Sequence, residues 1–144
     1  MYLTVNGDPF SGVLTKEQIT VSLSTLTGVG DSFLILAKDE MYYLQACGDK
    51  ESGFQVEYQE GSLDEHYESC SILTFSEAVD IFHSYFDGND DWKTGYSWKK
   101  QNFDFNTSGS GSSVAGMELE EQSNNMVLCT ALILGVLAVW YIFK

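Results

Sequence analysis

The chain has 144 residues, 44% hydrophobic and 14% aromatic, with 21 acidic against 7 basic side chains and a formal charge of −14 at pH 7. That aromatic content argues against disorder and for one small packed core. Every base is a lysine, and from Leu44 to Asp91 twelve acids accompany a single base, Lys50; phosphate recognition wants arginine forks or lysine clusters, so direct nucleic-acid binding is not expected.

Residues 2–5 fit a short first strand, and Asn6-Gly7-Asp8-Pro9 is a turn holding the single proline. Thr15, with Gln18 three positions on, has the spacing of a helix-capping box. Behind it Ile19, Leu23 and Leu26 fit one face of a helix, whereas Ile19-Thr20-Val21-Ser22-Leu23 alternates with the period of a strand. Residues 16–26 therefore read as helix or strand, ended in either case by Gly28 and Gly30.

Residues 33–37 are a short apolar strand, Lys38-Asp39-Glu40 a polar turn, and residues 41–47 a second strand, together a hairpin. After a Gly-bounded turn, Phe54, Val56 and Tyr58 alternate with Gln55, Glu57 and Gln59. This is the pattern of a strand with its apolar side on the core and its polar side toward solvent or a partner. Three such strands make an antiparallel meander.

Residues 60–65 form a charged turn, and 66–73 fit a fourth strand. Thr74 and Glu77 then make a stronger capping box, because Glu stands at the third helical position. A helix over residues 75–86 carries an apolar stripe of Val79, Phe82, Tyr85 and Phe86, and Asp87-Gly88-Asn89 stops it. Trp92 follows, and residues 96–98 fit a last strand. The expected fold class is α+β: a small antiparallel sheet with two packed helices, plus one C-terminal transmembrane helix. The globular domain is expected over residues 1–105.

Residues 106–125 are Ser/Gly-rich and then polar, the composition of a flexible linker. Residues 126–143 contain no charge, amide or proline. At 1.5 Å per residue they would span roughly 27 Å, enough for a thin hydrocarbon core. Trp140 and Tyr141 lie near one end, where amphipathic rings favour the interface, and Lys144 is a charged stop. A helix buried in a soluble protein normally keeps a polar stripe, and this run has none.

The first residues hold no apolar stretch, so the expectation is a tail-anchored, single-pass protein with its domain facing the cytoplasm. Lys144 argues for the opposite orientation under the positive-inside rule. Ala131, Gly135 and Ala138 share one face of the run, a spacing that allows a weak homodimer through the anchor. Asn106-Thr107-Ser108 matches a glycosylation sequon, which has meaning only on a secreted side.

No Gly-rich phosphate loop, CxxC pair, HExxH or serine-nucleophile elbow is present. His66, Cys70 and His83 are too scattered for a zinc site, and Cys70 reads as a small hydrophobe rather than a nucleophile. Cys47 and Cys70 make no disulfide framework. No metal, cofactor or catalytic residue is expected, and the domain reads as a binder rather than an enzyme. The candidate partner-binding set is the polar side of the third strand with the turn after it: Glu57, Gln59, Glu60, Asp64 and Glu65, with the aromatic Tyr67. Aromatics supply the energetic centre of protein interfaces, and charge supplies association rate and choice of partner.

Several short segments carry a family resemblance: Leu34-Ile35-Leu36-Ala37, Tyr42-Tyr43-Leu44-Gln45, Gly53-Phe54-Gln55-Val56-Glu57-Tyr58, Gly61-Ser62-Leu63-Asp64-Glu65-His66-Tyr67, then Leu73 to Phe86, Trp92 and Trp98. Together they resemble immunity family one of bacterial polymorphic-toxin systems. The resemblance implies an α+β fold with an antiparallel sheet. It also implies a protein that neutralises a toxin by binding it, often a nucleic-acid-modifying toxin such as a deaminase. Two features depart from the family: the apolar tail, and Lys99 where an acid is usual. Toxins that act on nucleic acid need basic clefts, so the expected partner is a basic toxin domain, with the membrane as a second partner through the tail. The alternative is a tail-anchored acidic adaptor that recruits another basic protein to a membrane.

Overall fold

Seven strands alternate with turns and close into one antiparallel sheet with helices against it, an α+β architecture. The computed structural model describes residues 1–102, so the linker at 106–125, the apolar run at 126–143 and the small-residue face within it lie outside the described residues. Among the described residues no helix is long and apolar enough to cross a membrane. The elements in chain order are β1 (Tyr2–Val5), β2 (Asp8–Pro9), α1 (Lys16–Ser24), β3 (Phe33–Asp39), β4 (Tyr42–Asp49), β5 (Gly53–Glu60), β6 (His66–Ser69), α2 (Phe75–Asp87), α3 (Asp91–Thr94) and β7 (Trp98–Lys100). The sheet order is β2-β1-β3-β4-β5-β6-β7, so β3 to β6 are the expected meander extended by one strand at the β5 side.

The ambiguous segment is a helix. Thr15 caps it, its side-chain oxygen accepting from the Gln18 N–H, and Ile19 and Leu23 are wholly buried one turn apart. Burial at helical spacing decides against the equally good strand alternation. The second capping box forms as the sequence predicts: the Glu77 carboxylate accepts from the Thr74 N–H at 2.8 Å, and Thr74 Oγ1 accepts from the Glu77 N–H. Gly88 ends α2 in the left-handed conformation, φ 78°, which a side chain would resist. The buried stripe of α2 is Ala78, Ile81, Phe82 and Tyr85, while Val79 and Phe86 are only partly buried against the core. The helix is therefore rotated slightly from the expected face, with Ala78 allowing close approach to the sheet.

The core lies between the helices and one sheet face. Leu3, Leu34, Leu36, Leu44, Ala46, Phe54 and Val56 come from the strands, and Ile19, Leu23, Ala78, Ile81 and Phe82 from α1 and α2. Each large side chain fully buried here contributes about 1.5–3 kcal/mol. The β4–β5 ladder runs unbroken over eight residue pairs from Tyr42↔Glu60 to Asp49↔Gly53. At its far end Gly48 has φ 128°, and a Cβ there would stand 2.1 Å from the Gly53 carbonyl oxygen, so the hairpin closes only on glycine.

The fourth expected strand is shorter than its alternation suggests. β6 stops at Ser69, and Leu73 returns to exchange two backbone hydrogen bonds with Phe54, N–H to O at 2.7 and 2.8 Å. The last strand begins at Trp98 and continues over Lys99 and Lys100, two residues past the expected 96–98 end. Both outer strands are blunted against edge-to-edge pairing: β2 has two residues and contains Pro9, and β7 has three and ends in two lysines.

Candidate partner-binding surface

The two faces of β5 are both buried, and this corrects the expectation that its polar side is wet. Phe54, Val56 and Tyr58 face the helices; Gln55, Glu57 and Gln59, at 5%, 2% and 2% exposure, are buried as well. Polar neighbours on adjacent strands make this possible. Gln59 stands opposite Tyr43 on β4 and His66 on β6, and Glu57 stands opposite Gln45 and Glu68. His66 Nε2 is 3.0 Å from Glu57 Oε2, and the Tyr43 hydroxyl donates to Gln59 Oε1 at 3.2 Å, with His66 Nδ1 3.4 Å from the same oxygen. Burial, with the Glu57 carboxylate adding to it, pushes the Tyr43 hydroxyl well above its ordinary pKa. Gln55 donates to the Ser69 carbonyl at 2.9 Å.

Glu57 and Gln59 are therefore parts of a buried polar network across β4, β5 and β6 rather than points of contact for a charged partner. Gln45 is the anomaly in that network. It is 1% exposed, and among the described residues neither its amide nitrogen nor its oxygen has a hydrogen-bond partner.

Tyr67 projects to the other face. Its ring stacks on Tyr58 with centroids 4.7 Å apart and 11° between planes. Tyr58 also meets Trp92 of α3 edge-on at 4.8 Å and Trp98 of β7 edge-on at 4.9 Å. Trp92 and Tyr85 are buried and Trp98 packs against the core. Burial, with Glu60 and Tyr67 nearby, pushes the Tyr58 hydroxyl up to about 12.

Three of the six expected site residues, Glu60, Asp64 and Glu65, reach the surface together at one end of the sheet. Antiparallel pairing puts four features at this end: the start of β1, the β3–β4 turn, the β5–β6 turn and the end of β7. The two turns are tied by a hydrogen bond from the Gly61 N–H to the Met41 carbonyl at 2.8 Å. Glu65 accepts from the Tyr67 hydroxyl and from Lys100 Nζ at 3.0 Å, and these two partners hold its carboxyl below the usual range. Glu60 pairs with Lys93, which also lies 3.6 Å from Asp90.

The same end carries a feature that the polarity pattern hid. Met1, Tyr2, Tyr42 and Leu63 are 46%, 48%, 45% and 38% exposed, four of the eight large hydrophobic side chains exposed among the described residues. Tyr2 and Tyr42 each belong to a strand, where alternation suggests a core or sheet role. Their position at strand ends, visible only from the register, leaves them in solvent.

Among the described residues no group of three His, Cys, Asp or Glu side chains is placed to hold a metal ion. Cys70 is an exposed free thiol rather than the small buried hydrophobe expected. His83 Nε2 lies 2.9 Å from Thr20 Oγ1 and 3.0 Å from the Lys16 carbonyl, a tie between α2 and α1. The chain matches no protein-family model, no curated protein and no solved structure.

An unpaired buried amide costs about 1–3 kcal/mol relative to an apolar group of the same shape. Gln45→Leu is therefore expected to raise stability by about 1 kcal/mol, read as a higher urea midpoint at unchanged slope. A fall in the midpoint would show that the amide makes a contact that stabilises the sheet.

Proposed function

We propose that this domain binds a basic protein and blocks it, as an immunity protein blocks a toxin, and that residues 126–143 tether it to a membrane with the domain facing the cytoplasm. The observation that carries the reading is the disposition of the lysines. Lys16 pairs with Asp87, Lys93 with Glu60, and Lys100 with Glu65. Lys38 lies over the Tyr85 ring at 4.4 Å and Lys50 over Phe75 at 5.0 Å. Lys99 stands opposite Glu68 in the ladder. Among the described residues five of the six lysines are thus engaged with the chain's own acids and rings, and the acidic excess is left to the outside.

Such a field attracts a basic cleft and repels nucleic acid and anionic lipid. Blocking a cleft by occlusion needs no catalytic group, and the resemblance of residues 34–98 to immunity family one supports the same reading. The apolar tail serves the adaptor reading equally well, and a toxin challenge separates the two.

Glu60, Asp64 and Glu65 are the carboxylates to test, since Glu57→Lys would bury an ammonium beside His66, remove that ring's carboxylate partner and perturb the fold. Glu60→Lys with Asp64→Lys and Glu65→Lys is expected to abolish protection of cells expressing the cognate toxin, with circular dichroism unchanged. It should slow association by roughly tenfold or more at low salt, while dissociation changes less. Protection equal to wild type would leave the acidic end a matter of solubility.

The tether has its own check. Alkaline carbonate washing should leave the full chain in the membrane pellet, and a chain ending at Asn106 should be recovered in the supernatant. Release of the full chain would remove the anchor from this account.

A further inference from the structure

The ladder register sets a row of side chains across the outer half of the sheet on its helix face. Leu44 of β4, Tyr58 of β5, Tyr67 of β6 and Lys100 of β7 stand opposite one another in turn. Tyr58 fills one face of the Tyr67 ring, stacked at 4.7 Å, and Lys100 Nζ lies over that ring 5.9 Å from its centroid. An ammonium in this position is attracted by the ring quadrupole. The same ammonium donates to Glu65 Oε1 at 3.0 Å, and the Tyr67 hydroxyl donates to Glu65 Oε2. The hydrogen bond to Glu65, with Tyr67 and Asp64 nearby, holds the Lys100 ammonium above its ordinary pKa. One ring face and two carboxylates thus meet at a single cation.

The cradle is firm and its occupant is not. Tyr67 is backed by Tyr58, which Trp92 and Trp98 meet edge-on, and its hydroxyl orients the Glu65 carboxylate. The Lys100 and Glu65 side chains are 45% and 44% exposed. An ion pair between exposed, flexible side chains adds little to stability, because fixing both offsets the Coulomb attraction, so the fold loses little when the pair opens. Arginine gains more than lysine in such a place. Its planar, weakly hydrated guanidinium stacks on a ring while its N–H fork takes a carboxylate; an ammonium is compact and strongly hydrated. β7 is the last strand in the sheet order, so a side chain from another protein can reach this ring from beyond the edge.

We infer that Glu65 and the outer face of Tyr67, with Asp64 beside them, form a recognition site for an arginine of a protein partner, and that Lys100 occupies this site until the partner's guanidinium displaces it. This rests on the basic-partner reading above and names the point of contact and its occupant in the free protein. The consequence is selective. Removing the Lys100 side chain frees a ring and a carboxylate together. Removing that of Lys99, one residue away on the opposite sheet face, changes the net charge equally but frees only the neighbourhood of Glu68.

The test uses the full chain in neutral detergent micelles and two capped Gly/Ser peptides, one with three arginines and one with three lysines in the same positions, titrated by calorimetry. Lys100→Ala should bind the arginine peptide about fivefold more tightly than the wild-type chain does. Lys99→Ala should gain less than about twofold, as should the lysine peptide on Lys100→Ala. Adding Glu65→Gln to Lys100→Ala should remove the fivefold gain while circular dichroism stays unchanged. A gain no larger for Lys100→Ala than for Lys99→Ala, an equal gain for the two peptides, or a gain that survives Glu65→Gln would each overturn the inference and reduce the binding to general charge attraction.

The inference and the toxin reading can fail separately. Tighter arginine binding by Lys100→Ala in a protein that protects against no toxin upholds this site and removes the immunity reading. Protection that is lost on reversing Glu60, Asp64 and Glu65, with equal peptide affinities for Lys100→Ala and Lys99→Ala, does the reverse.

Discussion

Tyr58 is the side chain on which the outer half of the sheet depends. It leaves β5 on the helix face and touches Tyr67 of β6, Trp92 of α3 and Trp98 of β7 within 4.9 Å of their centroids. β6 and β7 are four and three residues long, too short to be held by their ladders alone. α3 has four residues and no side-chain cap. These three elements carry Glu68, Lys93 and Lys100 and flank the turn that bears Asp64 and Glu65. One aromatic cluster therefore sets the position of the candidate surface, with T-shaped and stacked pairs each adding about 0.5–1.5 kcal/mol beyond the area buried.

Charge is arranged on that frame in two layers. Inside, Glu57, His66, Gln59 and Tyr43 satisfy one another across three strands, a polar network that fixes register because a one-residue slip would carry its members to the apolar face. Outside, lysines meet carboxylates and ring faces locally, and surface pairs of this kind stabilise the fold little. Their larger effect is on recognition: each lysine held by the chain is one that a basic partner does not meet.

Much of this was legible in the residues. The Thr74–Glu77 capping box, the Gly88 stop and the β3–β4–β5 meander follow from local signals that act within a few positions and are not overridden by packing. Residues 16–26 were ambiguous because β-branched residues at alternating positions also fit helical spacing, and burial of Ile19 and Leu23 by α2 and the sheet settled the matter. The polar side of β5 misled for a different reason. Alternation tells which residues share a face, not whether that face is solvated, and the partners that satisfy Glu57 and Gln59 are His66 and Tyr43, distant in sequence. Glu60, Asp64 and Glu65 reach the surface because turns are exposed by construction. The exposed pair Tyr2 and Tyr42 was missed, since only the register shows that both stand at the same end of the sheet.

The dependence of the outer strands on one ring is open to direct measurement. Urea denaturation of the full chain in micelles, followed by near-ultraviolet circular dichroism, compares Tyr58→Ala with Tyr58→Phe. Removing the ring is expected to cost about 3–5 kcal/mol and to abolish the tryptophan signal of the cluster, while removing only the hydroxyl costs less than about 1 kcal/mol. A loss below about 1 kcal/mol for Tyr58→Ala, with the tryptophan signal intact, would contradict the account: β6, α3 and β7 would then be held by something other than this cluster.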